Sequence, residues 1–474
     1  MDGEGTGLLD RTMRNLRNGW RSIAGTPYGV NAATERPHLP DADLETLRKQ
    51  MHACLDNKGG EVSARAETAK LGQVYLALDE NGRRRFLTVM AQEFDTDPES
   101  IDSAIDAVQL SADDDERRDA EYKLRQALEA PRTKLLTQFN SLPDGVKFLV
   151  DMRAELLKLA KEDRALKALE RDLKAILTSW FDVDFLELRR ISWEKTSALI
   201  LEKLIAYEAV HAIEGWEDLK NRLDTDRRCF GFFHPRMPDE PLIFVEVALV
   251  NGIAGNVQEL LDETAPIQDP TSADTAIFYS ISNAQKGLAG ISFGNFLIKR
   301  VVSELMDELS NLKTFSTLSP IPGFRRWLDK QISEGTPKIL LPNERKALQA
   351  AVTKGKGSKG LLRELMNQPN WHHDDTISDA LRGPLMRLCA RYLVEEKRAG
   401  PRAIDPVAHF HLSNGASVER INWLGDTAPK GFDQSAGMMV NYLYHLSKIE
   451  DNHEAYHSKG VVNTSGGVRA LIKG

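Results

Sequence analysis

From Asp41 to about Phe181 apolar residues recur at intervals of three and four, the period of an amphipathic helix. The repeat is clearest from Val146 to Trp180, where Phe148, Leu149, Met152, Leu156 and Leu159 mark a stripe. Leu166, Leu169, Leu173, Ile176 and Leu177 continue it, with Lys, Arg, Glu and Asp filling the other face. Ile101, Ile105 and Val108 repeat the motif on a shorter helix. Such stripes predict helices that bury one face against each other. Residues 1–40, with Pro27, Pro37, Pro40 and scattered glycines, show little periodicity and read as a loose arm. Near Phe181 the pattern changes to β-branched and aromatic clusters separated by Pro and Gly. Leu242 to Val250 reads as a central strand, Asp274 to Ser282 as a second, and Phe315 to Leu318 as a short third. His409 to Leu412 and Val418 to Trp423 flank Ser413-Asn-Gly-Ala416, whose Asn-Gly predicts a hairpin. Helices are expected at about 294–310, 343–352, 376–397 and 433–448. The fold class is α+β: an N-terminal all-α helical bundle over 41–183, then a mixed α/β domain over 184–474.

A chain of 474 residues and 53.0 kDa has room for two to four domains of ordinary size. Apolar residues at 41% and charged residues at 28% exclude wholesale disorder and fibrous classes. The net charge of -8, with Lys and Arg spread among acidic residues, excludes the basic stripe of a nucleic-acid binder. No run of ~18 uncharged apolar residues exists, so no membrane-spanning helix is expected. Cys54, Cys229 and Cys389 are too few and too scattered for a disulfide framework or a Cys-rich zinc site, and fit a reducing compartment. The opening Met-Asp-Gly-Glu-Gly lacks the basic start and apolar core of a secretory signal. Arg11, Arg14, Arg17 and Arg21 suggest a transit helix, but Asp2, Glu4 and Asp10 argue against one; cytoplasm is the expected location.

Several clusters bear on chemistry, each with a plainer alternative. Gly287, Gly290 and Gly294 lie between a predicted strand and a helix beginning near Asn295, an arrangement that offers unpaired N–H groups to a phosphate. Their spacing is neither Gly-x-Gly-x-x-Gly nor a Walker A loop, and taken alone such glycines are more often a plain tight turn. Thr317-Leu-Ser-Pro-Ile-Pro-Gly-Phe324 puts Ser319 at a rigid strand-to-helix corner, presenting its hydroxyl to a carboxylate or serving only as a helix cap. His409 and His411 would share one face of a strand, as metal ligands or with one acting in proton transfer near neutrality. His372-His373 reads as surface loop, Lys354 to Gly360 as a basic surface loop, and Asp113 to Glu116 as a solvated or helix-starting acidic run. Asn441, Tyr442 and Tyr444 fall on the predicted C-terminal helix, as core or as polar groups near a substrate.

Taken together, these segments resemble the malonyl-CoA decarboxylase family. The resemblance is carried by Cys229-Phe-Gly-Phe-Phe-His-Pro-Arg-Met-Pro-Asp-Glu-Pro-Leu242, Ile277-Phe-Tyr-Ser-Ile-Ser282 and Gly294-Asn-Phe-Leu-Ile-Lys-Arg-Val-Val302. Leu318-Ser-Pro-Ile-Pro-Gly-Phe324, Pro384-Leu-Met-Arg-Leu-Cys389, Asn414-Gly-Ala416 and Arg420-Ile-Asn-Trp423 complete it in order. It covers most of the chain from about residue 180 onward. The resemblance implies a helical oligomerisation domain joined to a catalytic domain of the GNAT acyltransferase superfamily, whose pyrophosphate loop corresponds here to Ala289, Gly290, Ile291, Ser292, Phe293, Gly294 and Asn295. That loop departs from the acetyltransferase pattern at Ala289 and Ser292. The family's catalytic serine and histidine correspond to Ser319 and His411, and no catalytic role is implied for His409.

The implied reaction converts malonyl-CoA to acetyl-CoA and CO2. Loss of CO2 leaves a thioester enolate, an electron sink built into the substrate, so no cofactor and no metal is expected. Ser319 is expected to hold the malonyl carboxylate and His411 to protonate the carbanion, with Asn441 and Tyr444 as further candidates around the thioester. The ligands expected are malonyl-CoA and acetyl-CoA, with no nucleic-acid partner, and family likeness suggests a homo-oligomer, a tetramer. The rival readings are a CoA-dependent acyltransferase of the same fold and a non-catalytic acyl-CoA sensor. Release of CO2 from malonyl-CoA alone marks the decarboxylase, acyl-CoA consumption only with an acceptor marks the transferase, and binding without turnover marks the sensor.

Overall fold

The computed structural model describes residues 16–21, 23, 28–56, 60–181, 185–291, 297–336, 339–352, 360–398 and 400–473. The chain divides into two compact units, one of residues 1–187, 233–242 and 284–293, the other of 188–232, 243–283 and 294–474.

In the first unit the three-and-four periodicity becomes α1 (Tyr28–Glu35), α2 (Asp41–Asp56), α3 (Gly60–Ala77), α4 (Glu80–Glu93), α5 (Pro98–Leu110), α6 (Asp114–Ala127), α7 (Pro131–Gln138), α8 (Gly145–Leu159) and α9 (Arg164–Trp180). Aspartates start four of them: Asp79, Asp97, Asp113 and Asp163 accept hydrogen bonds from the free N–H groups of the first turn. The acidic run at Asp113 is therefore a helix start, its carboxylate accepting from Asp115 N and Glu116 N. The stripe of α9 points Leu166, Leu169, Leu173 and Leu177 into the core. The segment read as a loose arm is partly structured. Tyr28–Glu35 is helical, and the Trp20 ring is buried 4.9 Å from that of Phe148, with its Nε1 donating to Pro143 O at 2.8 Å. One large ring with a partnered N–H anchors a segment that periodicity alone leaves unassigned.

The second unit holds most of an eight-stranded sheet: β1 (Glu187–Ile191), β2 (Arg227–His234), β3 (Met237–Val250), β4 (Thr275–Asn283), β5 (Thr314–Thr317), β6 (Ser319–Pro320), β7 (Ser417–Asn422) and β8 (Met439–Leu443). The order is β1-β2-β3-β4-β5-β8-β6, with β7 also paired to β8. Around it lie α10 (Ala198–Tyr207), α11 (Trp216–Arg222), α12 (Val257–Leu260), α13 (Leu297–Glu308), α14 (Phe324–Glu334), α15 (Pro342–Ala350), α16 (Leu361–Met366), α17 (Asp375–Val394), α18 (Pro406–Ser413), α19 (Pro429–Ser435), α20 (Ile449–Lys459) and α21 (Gly466–Lys473). A helical N-terminal region followed by a region built on a mixed sheet is the α+β class expected. The near-continuous apolar run of β3 is buried from Glu240 to Leu249, as in a central strand covered on both faces. β4 and β5 run parallel, joined through α13, and pair only over Thr275 to Phe278 and Thr314 to Thr317. The chain then leaves β5: Leu318 N bonds Phe278 O at 3.0 Å, and Ser319 and Pro320 pair with Val440 and Met439 of β8. Leu318 packs with Ala248, Ile277 and Met439, which fixes the corner carrying Ser319.

Four expectations near that corner are corrected. His409 to Leu412 is helical in α18, because Asp405 caps it and Pro406 occupies its first turn. Asn414-Gly415 ends this helix instead of forming a hairpin: Gly415 sits at φ +82° and Ala416 N bonds His411 O at 3.1 Å. The helix expected over 433–448 gives way to strand β8, because Ala436 and Gly437 take the left-handed conformation and stop α19. Ser319 is not the cap of the helix after its prolines; that position is Gly323.

Candidate active site

Leu318 turns into the core, so Thr317 and Ser319 on either side of it present their hydroxyls together. Ser319 Oγ donates to Thr317 Oγ1 at 2.8 Å, and Thr317 Oγ1 also accepts from Tyr442 N of β8 at 3.1 Å. On β8, Tyr442 falls on the opposite face from Asn441. Tyr444, just beyond the strand, is tied to β5 by Tyr444 N donating to Phe315 O at 2.9 Å.

His411 comes from α18. Asp405, at its N-cap, accepts from Val407 N and Ala408 N at 2.9 Å each and from the Tyr392 hydroxyl at 3.2 Å. Burial raises the Asp405 pKa, while these backbone donors oppose the rise. Thus fixed, α18 brings His411 Nε2 to 3.2 Å from Ser319 Oγ and Nδ1 to 2.8 Å from the Tyr444 hydroxyl. The imidazole stacks on the Tyr442 ring, centroids 4.6 Å apart and planes at 23°. Ser319, His411 and Tyr444 are 5%, 3% and 3% exposed, so a ligand reaching them is stripped of water. Burial pushes the His411 pKa down to about 3, which leaves the ring neutral at ordinary pH. The Tyr444 phenol is held protonated by the same cause.

Asn441 is fully buried beside this group, and its amide is fully used. It donates to Thr317 O at 2.7 Å and Ala254 O at 2.9 Å, and accepts from Asn422 Nδ2 at 2.8 Å and Arg420 Nε at 3.1 Å. Two donors and two acceptors exhaust an Asn side chain, leaving none for a thioester. Thr317, Asn422 and Arg420 are the residues sequence reasoning passed over. The signal for Thr317 was Thr-x-Ser at strand spacing; Arg420 and Asn422 lie in one of the segments that carry the resemblance, which implied no role for them.

His409 is not brought to the site. Two positions from His411 on a helix, it faces away and bonds the Tyr456 hydroxyl through Nδ1 at 2.8 Å. His372 and His373 sit on a 3-10 turn with their rings 4.0 Å apart. Among the described residues no three His, Cys, Asp or Glu side chains gather as a metal set. Of the phosphate-loop candidates, Ala289, Gly290 and Ile291 are described, whereas Ser292, Phe293, Gly294 and Asn295 lie outside the described residues, as does most of the 354–360 loop. Gly290 adopts φ +74°, and the preceding carbonyls are gathered by Arg153, which donates to Gly287 O at 2.5 Å and Ala289 O at 3.0 Å while paired with Glu170 at 2.7 Å. Among the described residues no helix is long and apolar enough to cross a membrane.

A family model described as the malonyl-CoA decarboxylase C-terminal domain matches residues 184–474, and its N-terminal counterpart matches 94–181. The chain is 38% identical over 411 residues to the protein named malonyl-CoA decarboxylase, mitochondrial, of Anser anser anser, covering 83% of this chain and 80% of that one. It is 35% identical to the Mus musculus protein of the same name, across 100% of this chain and 98% of the other. The crystal structure of malonyl-CoA decarboxylase from Rhodopseudomonas palustris is similar at TM-score 0.82 and 42% identity, over 90% of this chain and 99% of that one.

Proposed function

The chain belongs to the malonyl-CoA decarboxylase family, and from that premise we propose that Ser319 and His411 are its catalytic pair, with Tyr444 behind the imidazole. The observation that carries this reading is the meeting of Ser319 and His411, 92 positions apart in sequence, at 3.2 Å in a buried site.

Malonyl-CoA presents a carboxylate and a thioester carbonyl on one methylene. The Ser319 hydroxyl turns from Thr317 to donate to the carboxylate and holds its C–C bond across the plane of the carbonyl. That bond breaks, CO2 leaves, and the electron pair passes into the thioester as an enolate. His411 then gives the proton on Nε2 to the methylene carbon, forming acetyl-CoA. A neutral imidazole is a weak acid, but the enolate carbon is a far stronger base than a phenolate. As Nε2 releases its proton, the Tyr444 hydroxyl supplies Nδ1; once product leaves, solvent protonates Nε2 and the Nδ1 proton returns to the phenolate. Placing these donors in a dry pocket lets each act at full strength. Asn441 positions: it clamps the Thr317 carbonyl and so fixes the strand end under Ser319.

Residues 184–474 form the catalytic domain, and Ala289 to Asn295 hold the CoA pyrophosphate. The positive φ of Gly290 supports that assignment. The helices of 41–183 supply the subunit contacts of a homo-oligomer, a tetramer; Leu110, Tyr122 and Leu128 stand exposed on and beside α5 and α6. Sedimentation velocity of the purified chain tests this. Three unpaired buried cysteines support a reducing compartment, taken as the cytoplasm, and fractionation separates that from the mitochondrial location in the relatives' names.

The deciding experiment follows labelled CO2 from malonyl-CoA with no acceptor present. His411→Ala is expected to lose at least ~10²-fold in kcat with a smaller change in KM, the usual share of a positioned proton donor. Ser319→Ala is expected to be severely impaired as well. Normal turnover by either variant overturns the assignment of that residue.

A further inference from the structure

Resting on that reading of His411, the geometry points to Thr317 as the positioning residue that fixes which imidazole nitrogen carries the proton. The argument follows the hydroxyls. Thr317 Oγ1 is a committed acceptor: the Tyr442 backbone N–H, held in place by the sheet, donates to it at 3.1 Å. Ser319 Oγ donates its one proton to the same oxygen at 2.8 Å. A hydroxyl has a single proton, so Ser319 Oγ has none left for His411 and is an acceptor toward it. The 3.2 Å contact between Ser319 Oγ and His411 Nε2 is then a bond in which Nε2–H donates. A neutral ring with its proton on Nε2 has a bare Nδ1, and the Tyr444 hydroxyl at 2.8 Å is the donor that bare nitrogen needs.

The row therefore runs in one direction, Tyr444 to His411 to Ser319 to Thr317. It leaves the imidazole proton on the side where substrate must arrive, and when the Ser319 hydroxyl turns to the malonyl carboxylate its oxygen still accepts from Nε2–H. With a non-accepting side chain at 317 the order reverses: the Ser319 hydroxyl turns to Nε2, the ring proton moves to Nδ1, and Tyr444 becomes the acceptor. His411 would then face substrate as a base, the wrong state for protonating a carbanion. Thr317 touches no reacting atom in this scheme. It acts through Ser319, and Asn441 holds it from below through its carbonyl.

Thr317→Val keeps the shape of the side chain and removes the acceptor; Thr317→Ser restores it. The test is nitrogen-15 NMR of protein labelled at the histidine ring nitrogens, with the His411 signals assigned by their loss in His411→Gln, alongside kcat and KM for malonyl-CoA. In the unmutated protein the His411 proton is expected on Nε2. In Thr317→Val it is expected on Nδ1, with kcat lower by roughly 10²-fold and KM within about threefold. Thr317→Ser is expected to return both the Nε2 proton and the rate. An Nδ1 proton in the unmutated protein overturns the inference whether or not the valine variant folds. So does a valine variant that keeps the Nε2 proton, or one that shifts it at no cost in kcat. Normal turnover by His411→Ala would remove the catalytic reading and leave the proton assignment still measurable, so the two failures are distinguishable.

Discussion

At the scale of single residues the site rests on short polar contacts made where water is excluded. Tyr444 is the clearest case, since its hydroxyl is the partner of His411 Nδ1 and burial keeps it protonated. Removing one donor from a buried pair strands the other group, which costs more than the bond itself contributed. Tyr444→Phe keeps the ring and its packing but leaves Nδ1 without a donor. The expected result is a fall in kcat of about 10²-fold, a KM changed by only a few-fold, and a fold intact by circular dichroism. A fall in KM-linked binding with kcat preserved would place the phenol on substrate instead of on the imidazole. Asn441 predicts the opposite signature. With all four of its hydrogen-bonding groups engaged inside the protein, its replacement is a matter of stability before it is one of chemistry.

At the scale of elements, the site depends on a short helix held at both ends. α18 is too short to be stable alone, so its position comes from its caps and its packing. The Asp405 carboxylate meets two free N–H groups and the Tyr392 hydroxyl, and is fully buried. Asp405→Ala is expected to cost about 2 kcal/mol, at the upper end for a cap, because buried donors are left unpaired. Urea unfolding checks this, and kcat should fall in parallel because His411 rides on the loosened helix. These caps are also where sequence reasoning succeeded and failed. Long stripes such as that of α9, and the buried run of β3, were legible because many residues agree on one period. Short elements were not. His409-Phe-His-Leu412 alternates like a strand, and only Asp405-Pro406 before it and Gly415 after it betray a helix. Met439 to Leu443 was lost in an expected helix because the two left-handed residues before it carry no periodic signal. Ser319 and His411 were reached through family resemblance, whereas Thr317 became visible only once β5, β6 and β8 lay side by side.

At the scale of the whole molecule, burying neutral histidines links stability to pH. The His411 pKa is pushed to about 3 and that of His211 to about 4, both chiefly by burial. In the unfolded chain each returns to ~6.5. Below that pH the unfolded state binds protons that the folded state refuses, so stability present above ~6.5 is lost as pH falls toward the folded values. Glu246 works the other way. Burial first, and then the neighbouring Glu208, push it up to about 8 against the pull of Arg222, so its folded form takes a proton before its unfolded form does. From about pH 6 to 5 the two histidines outweigh the one carboxyl. Comparing His411→Gln with the unmutated protein isolates a single group from this balance. Each net proton is worth about 1.4 kcal/mol per pH unit. Urea unfolding at pH 7, 6 and 5 is therefore expected to show a decline in stability that is shallower in His411→Gln by about 1.2 kcal/mol between pH 6 and 5, with little difference in slope above pH 7. Parallel declines in the two proteins would mean that His411 takes up its proton in the folded chain near its ordinary pKa, and the neutral imidazole on which the proton relay depends would then dominate only above about pH 6.5.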